Sequence, residues 1–270
     1  MFKIVLISDT HNKHRNIYVL KPEDSLQNMD VLYNISGNSF MPAEADMIIH
    51  AGDMSNMGYE TEVEDFLKWF SELPYKYKIL IAGNHDWLFE LQRGIAKDML
   101  KKYPNIIYLE NDFVEIDMNE GFASLANSGE EGSTIVPSNK LKIWGSPITP
   151  WFHSWAFNKI RGDEINRYWA HIPDDIDILV THGPPHGILD MVLEGSEKGC
   201  EMLMERIKQI KPKLHVFGHI HEAAGHEEKD EIHFVNASLV NVRMQLMHKP
   251  TIFEVDENKN FTRIPNEIPK

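Results

Sequence analysis

Five apolar runs of this chain each end in a short polar block, and that pairing restricts the fold more than any other feature. Residues 4–7 lead into Asp9-Thr10-His11, residues 47–49 into Gly52-Asp53, and residues 79–81 into Gly83-Asn84-His85-Asp86. Residues 178–180 lead into Thr181-His182-Gly183, and residues 214–217 into Gly218-His219-Ile220-His221. Short apolar runs bounded by polar and glycine positions read as buried strands. In open α/β sheets, ligands gather just beyond the carboxyl ends of the strands. The pattern therefore predicts an α/β chain whose strand ends bring Asp9, His11, Asp53, Asn84, His182, His219 and His221 to one crevice. Because the blocks run from residue 9 to residue 221, a shared crevice implies one domain over residues 1–270.

Helical periods fill the spaces between these runs. Tyr59, Val63, Phe66, Leu67 and Phe70 recur at helical spacing, and Pro74 closes that helix. Gly94 and Pro104 bracket a second helical stretch, and a third is expected over residues 158–169. Ser196 is the expected cap of a helix carrying Cys200, Leu203, Ile207 and Ile210. Further strands are expected at residues 141–144, 232–235 and 251–255. The long connection at 12–46 lacks strong periodicity and reads either as a lid or insertion or as a surface excursion. Residues 118–140, rich in Gly, Ser, Asn and Glu, read as a hairpin or a disordered loop.

The polar blocks share one chemistry. Asp9 and His11, like His219 and His221, are two apart, so an extended backbone would turn both members of each pair to the same side. Asp53 follows a glycine and carries a carboxylate able to bridge two cations, while Asn84 offers an amide oxygen and His182 a ring nitrogen. The set mixes imidazole with oxygen donors and has no thiolate, which favours two divalent ions drawn from Mn, Fe, Zn, Ni or Co, manganese first, over Ca. Any one block alone is a weak signal, since Asp-x-His or His-x-His also occurs in solvated turns. Five at the ends of five apolar runs are not. The other histidines, including His50 and His215, are expected to be structural or solvated.

Charge narrows the partners. A net charge of −14 gives no broad positive field for polynucleotide phosphates, so nucleic acid is disfavoured. Two bound divalent ions would add about +4 locally, enough to draw in one small phosphate ester. No apolar run approaches the roughly 20 residues of a membrane helix. The N-terminal apolar run is too short for a signal peptide, and a single cysteine excludes an internal disulfide; a cytoplasmic protein is expected.

The ordered blocks resemble the signature of the calcineurin-like metallophosphoesterase superfamily, over essentially the whole chain. Within it, the sequence is most similar to the metallophosphoesterase-domain-containing branch. The stretches that carry this likeness include His50-Ala51-Gly52-Asp53, Ile81-Ala82-Gly83-Asn84-His85, Trp155-Ala156-Phe157-Asn158 and Thr181-His182-Gly183-Pro184-Pro185. His215-Val216-Phe217-Gly218-His219-Ile220-His221-Glu222 is another. The resemblance implies a four-layer α/β sandwich, two mixed sheets flanked by helices, with a dinuclear metal site at the strand ends. It implies one metal on Asp9, His11 and His221, a second on Asn84, His182 and His219, Asp53 between them, and His85 as the catalytic histidine.

Protein phosphatases of the superfamily have an Asp and then an Arg shortly after the bridging Asp; Asn56 and Met57 stand here. His85 thereby lacks an orienting carboxylate, and a monoester dianion lacks an arginine. The reading is a phosphodiesterase for small phosphodiesters, cyclic nucleotides among them, using in-line attack by a hydroxide with Asp53 and His85 as catalytic residues. A low-turnover nucleotide-binding scaffold and a nuclease are the rival readings. Trp151, Phe152, Trp155 and Phe157 could wall a nucleobase pocket or pack in the core. Arg161 and Arg243 are candidate phosphate partners.

Overall fold

The computed structural model describes residues 1–20, 40–119 and 139–265. In chain order its strands begin β1 Phe2–Ile7, β2 Tyr18–Leu20, β3 Phe40–Pro42, β4 Met47–Ala51, β5 Tyr77–Ile81, β6 Ile106–Tyr108, β7 Asp112–Asp117 and β8 Lys140–Ser146. They continue as β9 Thr149–Pro150, β10 Asn158–Lys159, β11 Ile178–Thr181, β12 Leu214–Phe217, β13 Gly225–Lys229, β14 Ile232–Asn236, β15 Thr251–Val255 and β16 Phe261–Ile264. Two six-stranded mixed sheets result, ordered β16-β15-β1-β4-β5-β6 and β13-β14-β12-β11-β8-β7. The runs β1-β4-β5-β6 and β8-β11-β12-β14 are parallel, and antiparallel strands finish every edge except that of β6.

Alternation along the strands explains the layering. Ile4 and Leu6 of β1 join Ile49, Ile79, Ile143, Ile178 and Val216 in the interior between the sheets. Val5 and Ile7 belong instead to the cluster that includes the helices. Strands buried on both faces must be apolar at nearly every position, which is why these five read as unbroken runs. The helix Glu60–Glu72 covers the first sheet, with the Phe66 and Phe70 rings 4.8 and 6.2 Å from that of His50 on β4. Over the second sheet, Trp169 of the helix Asp163–Trp169 meets Trp144 of β8, and its indole N–H points to Cys200 Sγ at 3.3 Å. The order is helix, sheet, sheet, helix, as expected.

Two helix starts differ from expectation. Asn158–Lys159 pair as β10 with β9, Gly162 turns the chain at φ +84°, and the helix begins only at Asp163. Ser196 caps nothing. Its hydroxyl bonds Glu194, and the helix Glu201–Ile210 starts after Cys200. The cause is Asp190, whose buried carboxylate accepts the N–H groups of Gly187 and Gly199 and closes the intervening segment into a loop. In the connection at 12–46, residues 21–39 lie outside the described residues, so the lid reading falls largely there. Residues 120–138 also lie outside, while β7 and β8 on either side of them pair antiparallel. Among the described residues, no helix is long and apolar enough to cross a membrane.

Candidate metal centre

The strand ends leave the extended conformation where they deliver their polar side chains. Asp9, His11, Asp53 and His219 have φ of +52°, +39°, +55° and +70°. Each such non-glycine residue costs about 1 kcal/mol or more, and such strain concentrates at functional sites. The expectation that Asp9 and His11 share a side through an extended backbone is therefore corrected. A left-handed turn aims them instead. Two glycines permit the resulting crowding: a Cβ at Gly218 would collide with the Asp9 carboxylate and the Ser8 hydroxyl, and one at Gly83 with Asp53.

Residues far apart in sequence meet here. His11 Nε2 and His221 Nε2 are 3.3 Å apart, and Asp9 Oδ1 lies 3.3 Å from His221 Nε2 and 3.9 Å from His11 Nε2. On the other side, His182 Nε2 is 2.9 Å from Asn84 Oδ1 and 3.2 Å from Asp53 Oδ2. Asp53 Oδ2 also lies 3.7 Å from His11 Nε2, so one oxygen faces both groups. The donor atoms gather as Asp9, His11 and His221, as His11, Asp53 and His85, and as Asp53, His182 and His219, each set within 4.8 Å. Two ligands of one ion at about 2.1 Å stand roughly 3.0–3.4 Å from each other. The shorter spacings fall in that range, and the donor set fits divalent cations.

The histidine tautomers point the same way. A carbonyl can only accept, so His11 Nδ1–H donates to Ser55 O (3.2 Å) and His182 Nδ1–H to Ala51 O (2.9 Å). Each ring therefore aims Nε2 into the crevice, the orientation that metal-ligating histidines adopt; His182 Nε2 there faces two oxygen acceptors and must shed its proton to bind a cation. His85 follows the same rule, with Nδ1–H donating to Asn56 O at 2.7 Å and Nε2 4.0 Å from Asp53 Oδ2. A backbone carbonyl thus takes the orienting role for which the sequence offers no carboxylate. Trp155 lies over His85 with ring centroids 4.2 Å apart.

Charge on the buried donors is finely divided. Burial opposes ionisation of Asp9, but the hydrogen bond and positive charge of His221, with His182 beyond, outweigh it and hold the carboxyl far below the usual range. Burial also works against His182, yet Asp53 beside it raises that imidazole to about 9. His11 and His219 are pushed down by burial, to about 4 and about 3.

Three buried groups that sequence reasoning passed over support the crevice. Asp86, fully enclosed, accepts hydrogen bonds from Met54 N, Ser55 N, Ser55 Oγ and Gly83 N, joining the Asp53 loop to the Asn84–His85 loop. Thr181 Oγ1–H donates to Gly183 O, so His215 Nε2–H must donate to Thr181 Oγ1 (2.8 Å). His50 stands likewise under Thr10, 3.0 Å from its hydroxyl. These two histidines brace the loops that carry His182 and His11. A Thr inside a ligand block paired with a His on the neighbouring strand was the one available signal.

His50 and His215 also set an acid limit on stability. Burial lowers both to about 3, whereas an unfolded imidazole titrates near 6.5. Below 6.5 the unfolded chain binds protons that the folded chain refuses, so stability present above that pH is lost as pH falls toward 3. Each contributes a slope of about 1.4 kcal/mol per pH unit. Asp86, raised to about 6 by burial and by Asp53, opposes this between its ordinary 3.8 and about 6. Urea unfolding of chelated protein between pH 7 and pH 5 should give His215→Gln a slope shallower by up to about 1.4 kcal/mol per unit. Parallel curves for the two proteins would remove His215 from this account.

The aromatic quartet divides. Phe157 is core, Trp155 covers His85, and Trp151 and Phe152 stand exposed. Arg161 is committed to Glu201 and to the carbonyls of Lys198 and Gly199, and Arg243 is exposed on a turn outside the cleft beside His219.

Comparison with known proteins places the chain in a family. The family model described as calcineurin-like phosphoesterase matches residues 2–223. Human metallophosphoesterase domain-containing protein 1 is 36% identical over 219 residues, covering 80% of this chain and 66% of that protein, so the match spans just under two thirds of that relative's length. A UPF0046 protein of Caenorhabditis elegans is 31% identical over 261 residues, covering 94% of this chain and 80% of its own. Among solved structures, TT1561 of Thermus thermophilus shares the fold with a TM-score of 0.52 at 14% identity, covering 87% of this chain and 88% of that one. With the family model running from β1 through the His219-Ile220-His221 block, the chain belongs to the calcineurin-like phosphoesterases.

Proposed function

We propose that the chain is a metal-dependent phosphodiesterase for small phosphodiesters, with cyclic nucleotides among its candidate substrates. One ion would sit on Asp9, His11 and His221, the other on Asn84, His182 and His219, and Asp53 would join them. The observation that carries this reading is Asp53 Oδ2, which faces the imidazole nitrogens of both groups. Bound divalent ions, manganese the first to test, would supply Lewis acidity and an activated water.

The protein's own side chains do the rest. His85, held through Nδ1–H by Asn56 O and packed against Trp155, would act as the imidazolium, giving the second proton on Nε2 to the departing oxygen and ending as the neutral ring. Asn56 and Met57 offer no cation, and Arg161 is already neutralised, so the crevice suits a diester monoanion better than a monoester dianion. The acidic balance weighs against a polynucleotide substrate. The lone, buried thiol of Cys200 suits a reducing, cytoplasmic setting.

Metal analysis of the purified protein, paired with a hydrolysis screen over monoesters, linear diesters and cyclic nucleotides, tests the proposal. Fewer than two ions per chain, or monoesters turned over faster than every diester, would sink it. Replacing His85 with Ala should lower kcat for alkyl leaving groups by about a hundredfold to ten-thousandfold, and far less for p-nitrophenolate, which needs no proton. An equal loss across leaving groups would deny His85 the role of acid.

A further inference from the structure

A cleft of about 790 Å³ includes His219 and Ile220 in its lining and so adjoins the cluster of donor atoms through His219. Its mouth is formed by Leu193, Trp151 and Phe152, which are 77%, 58% and 49% exposed. Large apolar side chains left in water around one concavity mark a place where something apolar binds. They are held in position. Trp151 N–H donates to Lys159 O (2.8 Å), and Asn158 Nδ2 donates to Phe152 O (2.7 Å). Leu193 N–H donates to Glu222 Oε1 (2.9 Å), and Glu222 directly follows His221, so this side of the mouth is tied to the block that carries His219 and His221.

The arginine and lysine charges of the cleft are spent internally. Arg161 gives its N–H groups to the carbonyls of Lys198 and Gly199 and to Glu201, at 2.6 to 2.7 Å. Lys198 Nζ pairs with Glu194 at 3.0 Å. A second anionic group entering here would meet cations already matched by carboxylates, with Glu222 beside them. An uncharged group would exchange water for Trp151, Phe152 and Leu193.

Resting on the phosphodiesterase reading, we infer that this cleft is a subsite for one ester substituent of the substrate, and that it selects an uncharged aryl or branched alkyl group over a small or anionic one. Specificity therefore lies in Trp151, Phe152 and Leu193, outside the donor set.

Three p-nitrophenyl phosphodiesters test this, since all release the same phenolate: the methyl, phenyl and carboxyethyl esters. The manganese-loaded protein should turn over the phenyl ester with a kcat/KM about tenfold or more above the methyl ester, the scale on which an apolar pocket discriminates. The carboxyethyl ester should rank below the phenyl ester. In Leu193→Ser the phenyl-to-methyl ratio should collapse toward one. Equal rates for methyl and phenyl, a preference for the carboxyethyl ester, or an unchanged ratio in Leu193→Ser would each overturn the subsite.

A binding series separates this from the parent proposal. Diphenyl phosphate, titrated by tryptophan emission, should bind at least about tenfold tighter than dimethyl phosphate, and Trp151→Phe should lose part of the emission change. If no diester is hydrolysed, the phosphodiesterase reading fails while these affinities still decide the subsite. Equal affinities would end it.

Discussion

Asp53→Asn is expected to lower kcat/KM for bis-p-nitrophenyl phosphate by about a thousandfold or more, roughly 4 kcal/mol of transition-state stabilisation, and to strip at least one ion from the protein. The reason lies in how the side chain is held. Its Oδ1 accepts the His85 N–H at 2.8 Å, while Oδ2 faces His11 Nε2 and His182 Nε2. An asparagine that keeps the bond to His85 must turn its NH₂ toward those two nitrogens. Hydrogen-bond donors then occupy the lone pairs that a cation would need, and the negative charge between the two groups is gone. The fold should survive, because His182 can shed its proton once the carboxylate beside it is gone, leaving no unpaired buried charge in the chelated protein. Metal content, hydrolysis and the chelated melting temperature, measured together, check this. Near-normal hydrolysis with two ions retained would take Asp53 out of the scheme, and a collapsed melting temperature would mean that the variant reports on folding instead.

Asp86→Asn is expected to cost about 2–4 kcal/mol of stability and to slow turnover by about ten- to a hundredfold, although Asp86 belongs to neither donor group. Its carboxylate accepts four donors from two loops, at 3.3, 3.0, 2.6 and 2.8 Å. Asparagine keeps one acceptor oxygen and places an NH₂ against donors where the other stood. One or two buried N–H donors then lose their partner, at about 1–3 kcal/mol each, since the Ser55 hydroxyl alone can turn to accept from the amide. The Asp53 loop and the Asn84–His85 loop lose their common anchor. Glu would restore the acceptor pair but must place an extra methylene at a fully buried site, at a cost of about 1–3 kcal/mol. Unfolding and steady-state kinetics on the same preparation check both parts. An Asp86→Asn protein as stable as the parent would show that the four bonds do not matter as described.

How far the sequence could be read depended on the kind of information each element carries. The central strands were legible because burial on both faces demands apolar residues at almost every position, as in β1, β4 and β11. The helix Glu60–Glu72 was legible from its period alone. Helix starts were less so: Asp190 holds back the beginning of Glu201–Ile210 by bonding Gly199, and no periodic pattern records a loop closed by one buried carboxylate. Arg161 likewise looked available in the sequence, and only its contacts with Glu201 and two carbonyls show that it is committed.

The candidate site divides along the same line. Which residue types could hold ions, and that they stand at strand ends, was determined by the sequence, because donor chemistry and strand burial are local properties. Only the tertiary structure decided that His11 and His221, 210 positions apart, would stand 3.3 Å from each other. It alone turned His11, His182 and His85 by their Nδ1–H bonds to main-chain carbonyls, and set His50, His215 and Asp86 beneath the loops as supports. Those outcomes depend on strand order and on left-handed backbone at Asp9, Asp53 and His219. Both arise when two sheets pack and crowd their ends together, and no spacing along the chain encodes such contacts.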